Sequence, residues 1–315
     1  MSDALNMKNI NGAIITGATG AIGIALSKLL SEKNIPVLAV IRKNSSRRKY
    51  IDGLPDVDIL ECDISDFDIV EADGSVHYDV IFDLAWEGSD QGSRQNPDIQ
   101  KKNIEYIPSI IRFAQRSGCK TFIGAGSQAE YGRVSGKINE EHPLNPVTEY
   151  GKAKLQVENL SREICTAKGI RYVWPRIFSV YGPGMGMDSL ITYSISEIMK
   201  GNSPKMTKGE QIWDFMYADD AALALYLLAV NESAEGVYCI SGGEGMSVRE
   251  YTTIIRDVAN PEVELKFGEI PYQENQVMEL VGDISKLKKE TGFKSSVPFD
   301  VGIMRMVEWM KSEIK

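Results

Sequence analysis

The feature that most constrains this chain is a run of small residues near its N-terminus, TGATGAIG at Thr16–Gly23. The run follows a short apolar segment directly and opens an amphipathic one. Gly17 permits a tight turn, Gly20 lets the backbone approach a pyrophosphate, and Gly23 lets helix and strand pack closely. The amides at the helix N-terminus are donors for that anion. Spacing and position together predict a dinucleotide-binding turn, although a βα turn without a ligand can have the same glycines.

Apolar runs alternate with amphipathic segments along the first half of the chain. This alternation is typical of a parallel sheet covered by helices on both faces. The predicted strands are Ala13–Thr16, Val37–Ile41, Val57–Leu60, Val80–Leu84, Thr121–Gly124 and Tyr172–Trp174. The predicted helices are Ala21–Glu32, Ile99–Arg116 and Glu149–Ala167. The expected fold is therefore α/β, a Rossmann-like doubly wound parallel sheet with a smaller α+β C-terminal substrate domain.

The alternation breaks up after Pro175, and Gly182-Pro183-Gly184 marks a loop. Short helices with few clear strands follow. We expect residues 1–175 to form an NAD(P)-binding domain, to which segments around 212–240 return. Residues 176–315 are expected to form mainly the substrate-binding domain.

Composition excludes several classes of protein. The formal net charge of −9 is spread along the 315 residues, which argues against a nucleic-acid partner. The segment Met1–Gly12 is polar and no run is long enough for a bilayer, so we expect a cytoplasmic protein without a membrane partner. Two histidines leave little material for a metal site, and none is predicted. Buried, unpaired thiols are expected at Cys62, Cys119, Cys165 and Cys239.

The segment after the second strand bears on which dinucleotide is bound. An acid there would accept a hydrogen bond from the ribose 2′-hydroxyl, but the chain has RKNSSRR at Arg42–Arg48. Guanidinium, ammonium and hydroxyl groups suit a 2′-phosphate, so NADP(H) is favoured over NAD(H); a solvated basic loop is the alternative. The expected contacts here are Arg42, Lys43, Ser46 and Arg47. After the third strand, Asp63-Ile64 is placed to meet the adenine amino group.

A tyrosine, a lysine and a serine form the candidate catalytic set. Tyr150 and Lys154 are four residues apart in a predicted helix and project from the same face. A lysine ammonium near a phenol favours the phenolate, which makes Tyr150 a competent proton donor and acceptor. Ser127 follows the fifth strand, where its hydroxyl can reach the carbonyl oxygen that Tyr150 protonates.

The whole pattern resembles the extended short-chain dehydrogenases, specifically the nucleotide-sugar epimerase/dehydratase/reductase family. The likeness covers nearly the whole chain. Its landmarks are Thr16–Gly23, CDIS at Cys62–Ser65, DLAW at Asp83–Trp86, Asn103, GSQAEYG at Gly126–Gly132, YGKAK at Tyr150–Lys154, PRIFSVYGPG at Pro175–Gly184 and WDFMYADDAA at Trp213–Ala222.

The resemblance implies a role for each matching residue. Tyr150 is then the general acid/base, Lys154 holds the nicotinamide ribose, and Ser127 polarises the substrate carbonyl. The further cofactor contacts implied are Gly17, Thr19, Gly20, Ala21, Ile22, Gly23, Leu84, Ala85, Trp86, Asn103, Pro175 and Ile177. The substrate contacts implied are Trp86, Ser127, Gln128, Ser179 and Trp213. A homodimer through the helices Ile99–Arg116 and Glu149–Ala167 is expected by the same analogy.

Departures from the family pattern narrow the reaction. The dehydratases have an Asp-Glu pair where this chain has Gln128 and Ala129, which argues against dehydration. Ser179 replaces a common asparagine and Trp213 a common arginine in the region that holds the nucleotide diphosphate. The basic segment favours NADPH-dependent reduction of a nucleotide-activated 4-keto-6-deoxy sugar. An NAD-retaining nucleotide-sugar 4-epimerase and a catalytically silent cofactor-binding sensor or scaffold are the alternatives.

Overall fold

The computed structural model describes residues 7–72, 74, 76–90, 92–274 and 276–313. Residues 1–6 of the polar segment Met1–Gly12 lie outside the described ranges. Among the described residues, no helix combines the length and apolarity that crossing a membrane requires.

A large parallel sheet forms the first layer of the fold. Its strands are β1 (Ala13–Thr16), β2 (Val37–Ile41), β3 (Val57–Glu61), β4 (Val80–Asp83), β5 (Thr121–Gly124), β6 (Gly126–Ser127), β8 (Arg171–Ile177) and β12 (Gly236–Ile240). Their order is β12-β8-β5-β4-β1-β2-β3, and the short β6 pairs with β8 beyond the end of β5. The strand order reverses between β1 and β4, so a crevice opens at the carboxyl ends of these two strands.

Helices cover both faces of this sheet. On one face Leu26 of α1 (Ala21–Glu32) and Leu225 of α5 (Ala218–Val230) are fully buried in one apolar cluster. On the other face Phe113 of α2 (Pro97–Arg116) and Val157 of α3 (Glu149–Lys168) belong to a second cluster. Apolar burial on both faces explains why the strand sequences are almost wholly apolar.

Smaller sheets and further helices follow or flank the large sheet. Their strands are β7 (Gly136–Ile138), β9 (Ser179–Tyr181), β10 (Ile212–Trp213), β11 (Phe215–Tyr217), β13 (Met246–Ser247) and β14 (Glu279–Gly282). A four-stranded sheet has the order β13-β10-β14-β7, and β11 pairs with β9 in parallel. The remaining helices are α4 (Leu190–Met199), α6 (Val248–Ala259), α7 (Ser285–Thr291) and α8 (Phe299–Glu313).

The expected α/β fold is confirmed, and the predicted strands and helices agree with the structure to within a few residues. The largest difference is β8, which was predicted to end at Trp174 and continues through Pro175 to Ile177. Proline has no N–H for a sheet ladder. The register places Pro175 opposite Ala125, in the gap between β5 and β6, where the ladder is interrupted. A proline is therefore tolerated at this central position.

The four cysteines are buried and unpaired, as the sequence predicts. Burial raises the pKa of the Cys119 thiol to about 12 and that of the Cys165 thiol to about 12. Thiols held in this way are small apolar side chains rather than nucleophiles.

Candidate active site

A cavity of about 1030 Å³ opens at the carboxyl ends of β1 and β4 and extends toward β9 and β10. The sheet edge, the glycine turn and the start of α3 contribute to its wall. The predicted site residues on the wall are Gly17, Thr19, Gly20, Ile22, Arg42, Arg47, Asp63, Ile64, Leu84, Ala85, Trp86, Ser127, Gln128, Tyr150, Lys154, Ile177, Ser179 and Trp213.

The glycine turn packs directly against the end of β4. Gly17 has φ +66°, and a Cβ there would lie 2.8 Å from the backbone nitrogen of Ala85. At Gly23 a Cβ would lie 2.5 Å from the carbonyl oxygen of Gly17. Gly20 is the N-cap of α1, and it lies on the cavity wall. The turn thus brings the positive end of a twelve-residue helix to the cavity, where a pyrophosphate fits.

Tyr150 lies in the first turn of α3, which begins at the N-cap Thr148. Its side chain is only 9% exposed. Burial raises the pKa of the phenol, whereas a hydrogen bond with the Ser127 hydroxyl and the charge of Arg94 act in the opposite direction. The Ser127 hydroxyl also accepts a hydrogen bond from the Ala129 amide at 3.2 Å, which fixes its position. The Tyr150 phenol and the Ser127 hydroxyl therefore lie together in the cavity wall.

Lys154 is buried one helical turn beyond Tyr150. Its ammonium donates to the carbonyl oxygen of Ala125 at 2.7 Å and lies 3.5 Å from the ring centroid of Trp86. That carbonyl lies in the gap opposite Pro175, where the strand offers no N–H. Burial lowers the pKa of Lys154, and the charges of Asp83 and Glu130 oppose this shift.

Asp83 provides a buried carboxylate behind the glycine turn. It accepts a hydrogen bond from the Thr16 hydroxyl at 2.6 Å, and that hydroxyl accepts from the Ala85 amide at 3.1 Å. Burial raises the pKa of Asp83, while the Thr16 bond and the charge of Lys154 lower it. This chain of bonds connects β1 to β4 beneath the cavity floor.

Glu130 is directed away from the cavity. Its carboxylate accepts from the Ser127 amide at 2.7 Å and from Arg176 Nε at 2.7 Å. Arg176 also donates to Glu158 of α3 at 2.9 Å, and all three side chains are buried. With Gln128 and Ala129 at the dehydratase positions, no carboxylate from this segment reaches the cavity.

The basic segment after β2 has mostly protein partners. Arg47 Nη1 donates to the carbonyl oxygen of Gly184 at 2.6 Å, and Arg48 Nη1 donates to Glu61 at 2.6 Å. Lys43 lies 3.6 Å from Asp66. Arg42 is exposed on the cavity wall, and no hydrogen bond or ion pair of its guanidinium occurs within the described ranges.

The far end of the cavity is aromatic and weakly polar. Trp213 Nε1 donates to the Ser179 hydroxyl at 2.7 Å, which joins two of the five predicted substrate residues. Phe215 and Met185 also line this end, and neither was predicted from the sequence.

Some predicted contacts do not reach the wall. Asn103 is buried behind it, where it binds both the amide and the carbonyl of Glu87 at 2.9 and 3.0 Å. The others are Ala21, Gly23, Lys43, Ser46 and Pro175. Arg94 is the main addition that sequence reasoning missed. It lines the cavity beside Tyr150, and nothing in the sequence around it indicates this position.

Known proteins share this sequence pattern and fold. The profile of the NAD dependent epimerase/dehydratase family matches residues 13–241. A provisionally named UDP-glucose 4-epimerase of Methanocaldococcus jannaschii is 29% identical over 95% of this chain and 98% of its own length.

Solved structures share the fold at lower identity. The UDP-N-acetylglucosamine 4-epimerase of Methanobrevibacter ruminantium is 24% identical with a TM-score of 0.84, covering 97% of this chain and 100% of its own. The UDP-glucuronic acid 4-epimerase of Bacillus cereus, solved with NAD, is 21% identical with a TM-score of 0.81, covering 96% and 97%.

Proposed function

Because the chain belongs to the NAD-dependent epimerase/dehydratase family, we propose that it is a nucleotide-sugar 4-epimerase that keeps NAD bound through turnover. The observation that carries the proposal is the meeting of Tyr150, Ser127 and Lys154 in one cavity beside the glycine turn. A catalytically silent sensor would not need this set intact.

The residues present fit a nicotinamide dinucleotide. The N-terminus of α1 would hold the pyrophosphate, Asp63 the adenine end, and Lys154 the nicotinamide ribose. When bound, NAD supplies a hydride acceptor and later a hydride donor. The buried position of Tyr150 keeps bulk water from its phenol.

Tyr150 moves the proton in the proposed reaction. As phenolate it takes the proton of the sugar C4 hydroxyl, and as phenol it returns the proton once the opposite face of the keto sugar is presented. Ser127 donates to the developing oxygen anion and holds the phenol in place.

Two observations favour epimerisation over the reduction that the sequence favoured. The similar proteins named above are called 4-epimerases. Of the four residues expected to meet a 2′-phosphate, Arg47 is bonded to Gly184 and Lys43 lies near Asp66. Protein partners for these two cations reduce the case for NADP.

Reduction remains the second candidate because Arg42 lines the cavity without a protein partner in the described ranges. Its guanidinium can bind a 2′-phosphate. Arg42→Ala would then weaken NADPH binding selectively, while retention of NAD would be unchanged.

The test is to purify the chain, denature a sample and identify the nicotinamide released. The folded protein is then incubated with UDP-glucose, UDP-N-acetylglucosamine or UDP-glucuronic acid and no added cofactor. We expect bound NAD and a C4 epimer formed without net consumption of cofactor. Stoichiometric oxidation of added NADPH by a 4-keto sugar, with no epimer from any sugar tested, would overturn the proposal.

A further inference from the structure

The cation nearest to the Tyr150 ring is not the lysine of its own helix. The guanidinium carbon of Arg94 lies 5.0 Å from the ring centroid, whereas Lys154 Nζ lies 5.7 Å from it. Lys154 is held by Ala125 and lies closer to Trp86. Two cations therefore flank one phenol, and they come from different parts of the fold.

The backbone fixes Arg94 at this place. Its carbonyl accepts a hydrogen bond from the Tyr150 amide at 2.9 Å, and the neighbouring Gln95 side chain accepts from Glu149 at 3.3 Å. Arg94 Nε donates to the Ser89 carbonyl at 2.9 Å, which ties the side chain to its own loop. Within the described ranges the two terminal nitrogens of the guanidinium have no hydrogen-bond partner. The loop after β4 is thus attached to the start of α3 and presents a charge to the tyrosine.

We propose that Arg94 is a positioning residue that stabilises the phenolate of Tyr150 from the ring face. The negative charge of a phenolate spreads into the ring, so a cation over the ring favours the phenolate more than the neutral phenol. The proposal rests on Tyr150 being the acid/base of the proposed function.

Permanent charge distinguishes Arg94 from Lys154. Burial lowers the pKa of Lys154, so its ammonium loses its proton more readily than an exposed lysine as pH rises. An arginine stays protonated throughout the working range. Arg94 therefore keeps its positive charge beside Tyr150 at pH values at which Lys154 begins to lose its proton.

The charged groups around the phenol determine in which direction the pKa of Tyr150 moves when Arg94 is replaced. Arg94 faces it from the loop after β4 and Lys154 from α3, while Glu130 opposes them from the segment after β6. Asp83 acts on Lys154 from the end of β4. Removing the positive charge of Arg94 makes the phenolate less favourable, so the pKa of Tyr150 rises. The acidic limb of the activity profile then moves to higher pH.

The experiment compares Arg94→Gln with Arg94→Lys and the wild type, all with their cofactor bound. Tyrosinate absorbance is titrated in each protein and in its Tyr150→Phe counterpart, and the difference isolates Tyr150 among the 13 tyrosines. Lys101→Gln, on the exposed side of α2 near Glu105, is the control with the same charge change.

In Arg94→Gln we expect the titration midpoint of Tyr150 and the acidic limb of the kcat–pH profile to move together to higher pH, by about 0.5–1 pH unit. Arg94→Lys should recover most of this shift, and Lys101→Gln should cause none. A uniform loss of kcat with an unmoved midpoint would mean that Arg94 only holds the loop, and would overturn the proposal. The titration needs no turnover, so it decides on Arg94 even if no sugar is epimerised.

Discussion

Tyr150 is the residue on which the proposed chemistry depends most directly. Tyr150→Phe removes the ionisable hydroxyl and leaves the ring packing against Trp86, whose centroid lies 5.6 Å away. We expect turnover to fall by about 10²- to 10⁴-fold with cofactor content unchanged. The measurement is the initial rate of epimer formation alongside the nicotinamide released on denaturation.

The control for this change is Tyr193→Phe, on the exposed side of α4. Its hydroxyl accepts only the Lys205 amide among the bonds of the described residues. An unchanged rate in Tyr150→Phe would contradict the assignment of the acid/base.

Gly17 tests the close approach of the glycine turn to β4. Gly17→Ala combines a positive φ with a contact on the Ala85 backbone that cannot relax. We expect a loss of about 1–3 kcal/mol in the free energy of unfolding, together with reduced cofactor content. Gly53→Ala is the matched control, because φ is +76° there and, apart from its chain neighbours, no described residue has an atom within 4 Å of the added carbon.

Equal losses at Gly17 and Gly53 would show that backbone strain alone matters and that the approach to β4 does not. Chemical denaturation of the two variants and the wild type measures the difference.

At the scale of single residues, the sequence predicts the position of a site residue when its neighbours along the chain form a recognisable motif. Tyr150, Lys154 and Ser127 are of this kind, since a helix turn and a strand end place them. Arg94 is not, because its position depends on how the loop after β4 docks on α3. The orientation of Glu130 could not be predicted from the sequence either, because its carboxylate is bound by Arg176 from another strand.

Between elements, the buried group of Arg176, Glu130 and Glu158 joins β8, α3 and the segment that carries Ser127. Arg176→Met leaves two buried carboxylates without their cation. We expect a loss of about 3–5 kcal/mol in the free energy of unfolding. Thermal and denaturant unfolding measure it, with Arg162→Met on the exposed side of α3 as control. A loss of less than about 1 kcal/mol would contradict this account.

Arg47 connects the segment after β2 to the loop at Gly184, which packs against the glycine turn. Arg47→Ala breaks this connection over the cofactor site, so we expect bound NAD to dissociate about tenfold faster. Release into excess apo-protein or a coupled NAD assay measures the rate. Arg48→Ala is the control, because Arg48 is paired with Glu61 instead. Weaker NADPH binding with unchanged NAD release would assign Arg47 to a 2′-phosphate.

The strands and helices in the first half of the chain were predictable because their apolar residues follow a spacing that can be recognised in the local sequence. The sequence predicted that some segment around residues 212–240 returns to the first domain, but it did not identify β12 as a strand of the large sheet. Its pairing with β8 depends on contacts across more than sixty positions of sequence. The continuation of β8 through Pro175 depends on the ladder gap opposite it, which no local pattern indicates.

For the whole molecule, we expect a homodimer formed through α2 and α3. Leu160 and Ile164 of α3 are only partly buried against the core, so a partner can cover them. Leu160→Glu should yield a monomer, whereas Met304→Glu, at an exposed position of α8, should not. Light scattering after size-exclusion chromatography gives the masses. A wild-type chain that elutes as a monomer at every concentration would contradict the expectation.

The burial of all four cysteines has a practical consequence. Burial raises the pKa of all four thiols, so they react slowly with alkylating reagents in the folded chain. A single cysteine introduced on the surface, for example at Lys101, would take up a fluorophore or spin label faster than any of them. The native sequence therefore already offers the background that distance measurements between labelled positions require.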